Sequence, residues 1–399
     1  MSSNENLGPL VSGNSYLKNV LSPFKSNLNV AHINCRSIRP VTKLDELKNL
    51  LGNNNTFDIL AVTETWLVPD ILNSAVSIPG YYFCRGDREI PGRGGGVGIY
   101  LSKGLPFRHV FKSSVRHCES LFLELQFQST KVLFGVIYLP TGDIDLFESL
   151  HCNIFEEYNN IVLFGDFNFN LFNPTKAIIF RRLCTRLNLS IIHNSKPTHF
   201  DLGSRSTSLI DFMLTSDFSI VAYSDQIQCP AISDHALIFA SLSISFSSLP
   251  DFVEYRNFNN IDWNGIWNFL ASYDPNLVFS SVGVDAKCAS ITSLLDSLYS
   301  FVPVVRKKIK HSVDPWMKSI DVRFAVSLRD LAFSSFQNER TQEHWRIYCK
   351  YRNRAKAIIR RCRRYHYSRL FNGINSRGLW KALRGSGCVV LLRILLLCP

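Results

Sequence analysis

Acidic, amide, phenolic and imidazole side chains follow short apolar runs at five places in this chain. They are Asn34 in VAHINCRS, Glu64 in ILAVTETWL, Tyr138 in VLFGVIYLP, the pair Asp166 and Asn168 in IVLFGDFN, and the triplet Ser233, Asp234 and His235 in AISDHALI. A buried strand that ends on such a group carries it to the rim of a sheet, where several strand ends can surround one reacting atom. The pattern therefore predicts a single polar site.

Glu64 stands in TETWL, directly after the apolar run DILAV. An ionised carboxylate at the end of a buried strand needs a positive charge nearby. A hard divalent cation supplies that charge, and carboxylate oxygens with retained water suit Mg²⁺. Because the chain offers no soft ligands at a spacing that favours zinc or copper, we predict Mg²⁺, with Mn²⁺ as an alternative.

Asp166 and Asn168 are two positions apart in GDFN, and on extended backbone both side chains point to the same side. They can therefore contact one phosphate or one water molecule, while Gly165 lets the chain turn. Taken alone, a GDxN turn is more often an Asx-type cap than a catalytic pair, so both interpretations stay open.

Ser233, Asp234 and His235 are consecutive, and three neighbours on extended backbone cannot face one another as a Ser-His-Asp triad requires. A second carboxylate must therefore orient the imidazole of His235. Asp211, flanked by apolar residues in STSLIDFML, is the candidate for that role.

The glycine cluster in PGRGGGVGIY lacks the Lys-Ser/Thr of a P-loop and does not give GxGxxG before a helix. A tight turn that enters a strand is the better interpretation of Gly94 to Gly96. Arg93 in the same turn could contact a phosphate.

The elements that must carry these residues follow from periodicity. Short β-branched or aromatic runs predict strands at 28–33, 58–63, 96–101, 121–127, 131–138, 160–164, 208–214 and 236–244. Apolar residues recur at helical spacing in 43–51 and 176–187. Many strands with few long helices predict two packed sheets with helices outside, which is a layered α/β sandwich.

Charge divides the chain into parts. Residues 1–300 carry 22 Lys and Arg against 27 Asp and Glu, while residues 301–385 carry 21 against 5. A mildly acidic body could hold cations, and a polycationic segment attracts phosphate backbones. We expect a disordered N-terminus at 1–26, a catalytic domain at 27–246, a helical connector at 247–320, a basic helical arm at 321–385 and an apolar tail at 386–399.

The basic arm contains a long helical pattern from Val322 to Leu370. An apolar stripe steps along it by three and four residues: Tyr348, Tyr351, Ala355, Ile358, Cys362 and Tyr365. The stripe is typical of packing, and the cations beside it are candidates for nucleic-acid contact: Arg352, Arg354, Lys356, Arg360, Arg361, Arg363 and Arg364.

Cysteine usage and hydropathy bear on location. The eleven cysteines show neither zinc spacing nor a disulfide framework, so we expect reduced thiols and no disulfide-linked partner. The N-terminus lacks the pattern of a secretory signal, and CVVLLRILLLCP falls short of the roughly 20 apolar residues that span a bilayer. We therefore expect a nuclear or cytoplasmic protein, not secreted and with no membrane partner.

Seven blocks stand in the order found in endonuclease/exonuclease/phosphatase domains, the superfamily of DNase I and exonuclease III. They are INCRS, TETWL, RGGGVGIY, the run that ends at Tyr138, GDFN, SLIDFML and SDH. Over residues 28–244 the chain resembles this superfamily, and its blocks look most like the endonuclease module of jockey-type non-LTR retrotransposon polyproteins. The resemblance implies a four-layered, DNase I-like α/β sandwich and a metal-dependent endonuclease that nicks one DNA strand.

The resemblance also implies roles around the metal and the attacking water. Glu64 would bind the metal with Asn34 beside it, and Asp234 would support the metal or the imidazole. Asp166 would help to activate the water. Whether Asp166 or His235 is the base stays open.

Other roles concern the phosphate. Asn168 and Tyr138 would hold or stabilise its oxygens, and His235, oriented by Asp211, would contact it. Thr198 in KPTHF, Ser233 and Arg93 are further candidates for substrate contact.

In those polyproteins the nuclease is followed by a basic helical connector with a tryptophan block, similar to GLWKALRG here, and then by a reverse transcriptase. The polymerase is missing here, and CVVLLRILLLCP looks like a truncated or frame-shifted end. By resemblance, the nick would leave a 3′-hydroxyl that primes reverse transcription. DNA would be the substrate, and element RNA would be a partner of the basic arm.

Two alternatives stay open. A phosphatase or phosphodiesterase acting on inositol phosphates or phospholipids would use the same constellation, although the basic arm argues against it. A non-catalytic nucleic-acid-binding relic would keep the arm and lack nicking, although no candidate catalytic position is visibly substituted.

Overall fold

A computed structural model describes residues 13–52, 56–88, 94–127, 130–201, 206–245, 252–308 and 314–372. The chain divides into two compact units, of which one comprises residues 1–248 with 311–399 and the other residues 249–310. Four features of the sequence analysis lie outside the described residues: most of the N-terminal segment, Arg93, the GLWKALRG block and the apolar tail.

The larger unit begins with alternating strands and helices. These are α1 (Gly13–Leu21), β1 (Asn27–Asn34), α2 (Val41–Gly52), β2 (Ile59–Thr63), β3 (Tyr81–Gly86), β4 (Val97–Ser102), β5 (Phe107–Val115), β6 (Cys118–Phe127), β7 (Thr130–Tyr138), α3 (Ile144–Glu156), β8 (Ile161–Asp166), α4 (Pro174–Arg186), β9 (Ser190–Ile192), β10 (His199–Phe200), β11 (Thr207–Ser208), β12 (Asp211–Thr215), β13 (Val221–Gln228) and β14 (Ala236–Ser245). The eight predicted strands and two predicted helices are all present, with ends shifted by a few residues.

Two six-stranded mixed sheets form the core of this unit, in the orders β13-β14-β1-β2-β4-β3 and β5-β6-β7-β8-β12-β9. Their apolar faces meet in one buried cluster, to which Val30 and Ile99 contribute from the first sheet and Phe134 and Val162 from the second. Helices α1 and α2 cover the outer face of the first sheet, and α3 and α4 cover that of the second. The predicted four-layered α/β sandwich is therefore confirmed.

The polar strand ends meet at one edge of the sandwich. Strands β1 and β2 are parallel, which places Asn34 opposite Thr63. In the second sheet β7 and β8 are parallel, with Tyr138 opposite Asp166, and the antiparallel β12 begins with Asp211 opposite Asp166. Since parallel neighbours end together and an antiparallel neighbour begins there, side chains far apart in sequence are brought to one rim.

Residues 249–310 form the smaller unit. It contains β15 (Phe252–Arg256), α5 (Trp263–Ser272), α6 (Asn276–Phe279), α7 (Val284–Ser300) and β16 (Val304–Lys308). The two strands pair in an antiparallel ladder from Phe252 with Lys308 to Arg256 with Val304. A helical connector was predicted here, and the strands were missed because their partners lie about fifty residues apart, where local periodicity carries no information.

The basic region forms two helices, α8 (Ile320–Glu339) and α9 (Gln342–Phe371). The expected helical C-terminal extension is confirmed, but the prediction of one continuous helix from Val322 to Leu370 is wrong. Arg340 adopts a left-handed conformation with φ 46°, and the Thr341 hydroxyl accepts a hydrogen bond from the His344 N–H at 3.1 Å, which begins a new helix. Of the apolar stripe, Tyr348 and Ala355 are buried while Tyr365 is exposed.

Helices α8 and α9 belong to the larger unit and contact α2. Arg329 pairs with Glu46 at 2.7 Å, and Arg363 pairs with Asp45 at 3.4 Å. Trp316 Nε1 donates to the same Asp45 at 3.2 Å. The basic region is therefore docked on the sandwich. Among the described helices, none has the length and apolarity needed to cross a bilayer.

Candidate active site

A buried amide joins two carboxylates at the rim. Asn34, the last residue of β1, donates through Nδ2 to Glu64 Oε1 at 3.0 Å and to Asp166 Oδ2 at 2.8 Å. The Tyr138 hydroxyl also donates to Glu64 Oε1, at 3.0 Å. Trp66 Nε1 donates to the other Glu64 oxygen at 3.1 Å. Four strand ends thus converge on Glu64 and Asp166, as the sequence predicted.

The side chain of Asp166 is buried, and its second carboxylate oxygen has a backbone hydrogen-bond donor. The Asn168 N–H donates to Asp166 Oδ1 at 3.1 Å, which is the Asx-type turn that the GDFN spacing allows. Burial and the nearby Asp211 carboxylate raise the pKa of Asp166 to about 7, against the opposing effects of His235 and Asn34. A carboxylate with this pKa can accept a proton near neutral pH.

His235 is oriented by Asp211, the residue that sequence reasoning proposed for this purpose. His235 Nδ1 lies 2.9 Å from Asp211 Oδ2, and both side chains are buried. Burial lowers the pKa of His235, but Asp211, Asp166 and Asp234 outweigh that effect and raise it to about 9. The imidazole is therefore a cation at neutral pH with Nε2 free of the Asp211 contact.

Asp234 lies on the other side of His235 and is held by a cation. Arg36 Nη1 donates to Asp234 Oδ2 at 2.5 Å, and the Ser233 hydroxyl donates to Oδ1 at 3.2 Å. His199 Nε2 lies 3.8 Å from Asp234, and its ring is 4.4 Å from the ring of His235. Burial raises the pKa of Asp234, but the nearby His199, His235 and Arg36 lower it to about 2.

The side chain of Asp234 has partners of its own. Asp234 was expected to support the metal or the imidazole, and its oxygens are occupied by Arg36 and Ser233. The carboxylate that shares a hydrogen-bond donor with Glu64 is Asp166. Asp234 is adjacent to the imidazole side of the site.

Two further sequence candidates have local structural partners. Thr198 is buried, and its hydroxyl oxygen accepts hydrogen bonds from the N–H groups of Ile210 and Asp211 at 3.1 and 3.0 Å. It therefore fixes the start of β12. The Ser233 hydroxyl accepts a hydrogen bond from the His235 N–H at 3.3 Å and so shapes the turn before β14.

The rim concentrates unusual backbone conformations. Arg36, Glu64, Trp66 and Asn168 have φ values of 42°, 50°, 55° and 49°. The left-handed region is unfavourable for residues with a Cβ, and such residues persist where surrounding contacts hold them, often at functional sites. The turns after β1, β2 and β8 are therefore held in the shape that presents these side chains.

The donor groups fit a hard divalent cation. Glu64 accepts hydrogen bonds from three neutral donors, and no Lys or Arg among the described residues pairs with it within 4 Å. Asp211 Oδ1 is buried without a hydrogen-bond partner in the described part of the chain. Asp166 and Asp211 each place one carboxylate oxygen within 4.8 Å of the other and of the His235 ring, and these two carboxylates could hold a cation. Closely spaced carboxylate oxygens match the preference of Mg²⁺.

Sequence reasoning missed several residues of the site. His32 is buried on β1, its Nε2 lies 3.2 Å from Thr63 Oγ1, and its Nδ1 lies 4.0 Å from Asp211. Arg36 and His199 stand close in sequence to Asn34 and Thr198, within INCRS and KPTHF, and that proximity is the only sequence signal. Their contacts with Asp234 and His235 depend on how the turns fold, which local sequence does not indicate.

Comparison with known proteins places this site in a family. The sequence model of the Endonuclease/Exonuclease/phosphatase family matches residues 26–235, which is more than half of the chain. A search of curated proteins gave no match. With the two mixed sheets and their covering helices, the match confirms the DNase I-like fold.

Solved structures with a similar fold include three enzymes. The endonuclease domain of TRAS1, a telomere-specific non-LTR retrotransposon, has a TM-score of 0.45 and 11% identity over 55% of this chain and 99% of its own. AP endonuclease from Leishmania major has a TM-score of 0.45 and 15% identity, covering 55% and 90%. A 3′ phosphatase from Neisseria bound to a DNA hairpin has a TM-score of 0.41 and 18% identity, covering 54% and 99%. At this identity the likeness concerns the fold alone.

Proposed function

This chain belongs to the Endonuclease/Exonuclease/phosphatase family, and we propose that it is a Mg²⁺-dependent DNA endonuclease that nicks one strand and leaves a 3′-hydroxyl. Members of the family are metal-dependent phosphoester hydrolases, and a buried cluster that could hold a metal is present. The specific substrate, the product end and a retrotransposon origin are our proposals. The order of the seven sequence blocks and the basic helices support them.

One observation carries the proposal. A continuous set of contacts runs from Tyr138 and Glu64 through Asn34 to Asp166, and Asp166 lies in the same cluster as Asp211 and His235. Acid, amide and imidazole groups can therefore act on one phosphorus atom. Hydrolysis of a phosphodiester needs a proton acceptor for the water and fixed donors for the developing charge, and this set contains both.

Asp166 and His235 divide these tasks by their pKa values. With a pKa of about 7, Asp166 can take the proton of the attacking water. His235, with a pKa of about 9, is already protonated at neutral pH, so its imidazolium can donate to a phosphate oxygen rather than act as the base. Asp211 fixes the ring through Nδ1 and leaves Nε2 for the phosphate.

Tyr138, Asn168 and Glu64 complete the site. Burial and Glu64 raise the pKa of Tyr138, so its hydroxyl stays protonated and can donate a hydrogen bond. Asn168 is half-buried in the GDFN turn, where its amide can contact a phosphate oxygen. A divalent cation held by Glu64 would stabilise the charge that develops on the phosphate oxygens.

Nicking of supercoiled plasmid tests the proposal directly. The wild-type protein should convert it to the open circle in Mg²⁺ and not in EDTA, and Glu64→Ala should lower the rate about 10²- to 10⁴-fold. The matched control is Asp70→Ala, which removes an exposed carboxylate from the loop after β2 and should keep the wild-type rate. Ligation of the nicked product would show a 3′-hydroxyl with a 5′-phosphate.

Metal-independent nicking, or an active Glu64→Ala variant, would contradict the proposal. Hydrolysis of inositol phosphates or phospholipids in preference to duplex DNA would favour the phosphatase alternative. Salt-dependent DNA binding without any nicking would favour the non-catalytic relic.

A further inference from the structure

The docked helix α9 brings positive charge to the edge of the proposed active site. It contacts α2 through Arg363, which pairs with Asp45 at 3.4 Å, while Arg329 of the preceding helix α8 pairs with Glu46. In addition, the Tyr348 hydroxyl of α9 donates to the Pro230 carbonyl oxygen at 3.0 Å, in the turn that leads to Asp234 and His235. Helix α9 therefore contacts both α2 and the turn that precedes β14.

Lys43 connects the rim to α9. Its ammonium group donates to the carbonyl oxygens of Cys35 and Arg36 at 2.7 and 2.8 Å, so it lies under the turn from which Arg36 reaches Asp234. Burial lowers the pKa of Lys43, and the nearby Lys356 ammonium on α9 lowers it further. Lys43 of α2 and Lys356 of α9 thus lie on two helices that are in contact, and their like charges repel.

Along α9 the charge continues. Arg352, Lys356 and Arg360 are spaced four residues apart and so share one face of the helix. Burial lowers the pKa of Lys356, and Arg352 and Arg360 lower it further, so the three side chains are close enough to repel. Arg352 Nε is buried and has no hydrogen-bond partner in the described residues. Within the described ranges, no carboxylate pairs with Arg352, Lys356 or Arg360 within 4 Å, and a row of unpaired like charges is the arrangement that a polyanion would stabilise.

We propose that Arg36, Lys43, Arg352, Lys356 and Arg360 form a cationic track that binds the phosphate backbone of duplex DNA beside the nicked bond. This inference rests on the proposed function and specifies how that site selects its substrate. The track begins at the ion pair of Arg36 with Asp234, next to His235, and follows α9 away from the site. A small phosphomonoester would contact only its beginning, whereas a duplex would contact all of it.

Two other cations of α9 have partners of their own. Arg363 is held by Asp45 and packs over the Trp316 ring, and Arg361 pairs with Asp321 at 3.6 Å. Arg346 and Lys350 are exposed and lie about 80° and 120° around the helix from Lys356. The pair Arg346 and Lys350 therefore offers the same charge and the same four-residue spacing on a different face.

The test compares charge reversal on the two faces in the full chain. Fluorescence anisotropy with a 30-base-pair duplex in EDTA measures binding separately from catalysis. The double variant Lys356→Glu with Arg360→Glu should raise the Kd about tenfold or more. It should also reduce by about 2 the slope of the logarithm of the binding constant against the logarithm of the salt concentration, because each phosphate contact contributes about 1 to that slope. Arg346→Glu with Lys350→Glu should change both much less. The neutral pair Lys356→Gln and Arg360→Gln should give an intermediate Kd, and circular dichroism checks the fold.

Nicking in Mg²⁺ then separates the two proposals. For the track variant we expect a higher KM and a kcat within about twofold of wild type, because the track binds substrate and the transition state equally. Equal effects of the two charge reversals on Kd, or tighter binding of single-stranded RNA than of the duplex through the same residues, would overturn the track. If the wild type binds DNA through these residues but never nicks, the proposed function fails and the track stands.

Discussion

Replacing Asp211 with Asn should move the pH dependence of nicking as a whole towards acid. The carboxylate lies 2.9 Å from His235 Nδ1 and is the main reason why the pKa of that buried imidazole rises from 6.5 to about 9. A rise of this size corresponds to about 3 kcal/mol in favour of the imidazolium. Without Asp211, burial is opposed only by Asp166 and Asp234, and the pKa of His235 should fall towards its ordinary value.

The magnitude follows from the protonated fraction of His235. At pH 8 about nine tenths of the wild-type imidazoles are charged. An imidazole with the ordinary pKa of 6.5 is about 3% charged at that pH, so a full return to the ordinary value would lower nicking about 30-fold. At pH 6 most imidazoles are charged in both proteins, and that loss should nearly vanish. Asp211 also raises the pKa of Asp166. The acidic limb of the pH–rate profile, which lies near pH 7 in the wild type, should therefore shift to lower pH in the variant as well.

The assay is plasmid nicking from pH 5 to 10 at fixed Mg²⁺ concentration and ionic strength. The control is Asp217→Asn, which changes an aspartate just after β12 that caps a short turn away from the cluster. It should keep the wild-type profile. An alkaline limb that stays near pH 9 in Asp211→Asn would refute the assignment of that limb to His235.

Three further predictions concern stability and are measured by urea unfolding. Burial lowers the pKa of His151 to about 4, so its stabilising contribution is complete above pH 6.5 and is lost as the pH falls towards 4. Between pH 8 and 5 the free energy of unfolding of the wild type should therefore fall by about 2 kcal/mol more than that of His151→Gln. Equal falls would contradict this. Gly165→Ala would place a Cβ about 2.3 Å from the Ile137 carbonyl oxygen. The substitution should therefore lower the free energy of unfolding by about 2 kcal/mol or more. No change would show that β7 and β8 separate easily. Arg329→Met removes the buried guanidinium that pairs with Glu46 and should lower the free energy of unfolding by about 3 kcal/mol. A decrease below about 1 kcal/mol would mean that the docking of α8 depends little on this ion pair.

The sequence predicted best what depends on local pattern. β2, β7 and β8 contain short continuous apolar runs, and β1 is largely apolar, so their ends and the polar residues there could be predicted directly. The partner of His235 followed from the geometry of three consecutive residues. What the sequence could not supply is contact between distant turns: the Arg36 pair with Asp234 joins residues 198 positions apart.

Other features escaped because their local pattern is weak or shared with another structure. β13 is a partly exposed edge strand, VAYSDQIQ, without clear alternation. The break between α8 and α9 depends on Arg340, a good helix former that adopts φ 46° there, and only Thr341 as an N-cap hints at it. The docking of the basic helices on α2 required three-dimensional information, because a stripe of charge looks the same on a free arm and on a packed one.

The central claim is that Glu64 and His235 act on one phosphorus atom, and a double-substitution cycle in single-turnover plasmid nicking tests it most directly. Glu64→Gln and His235→Gln should each lower the rate about 10²- to 10⁴-fold, and the double variant should lose little more than the worse single variant, because groups that act as a unit are not additive. Wild-type activity in either single variant would contradict the account.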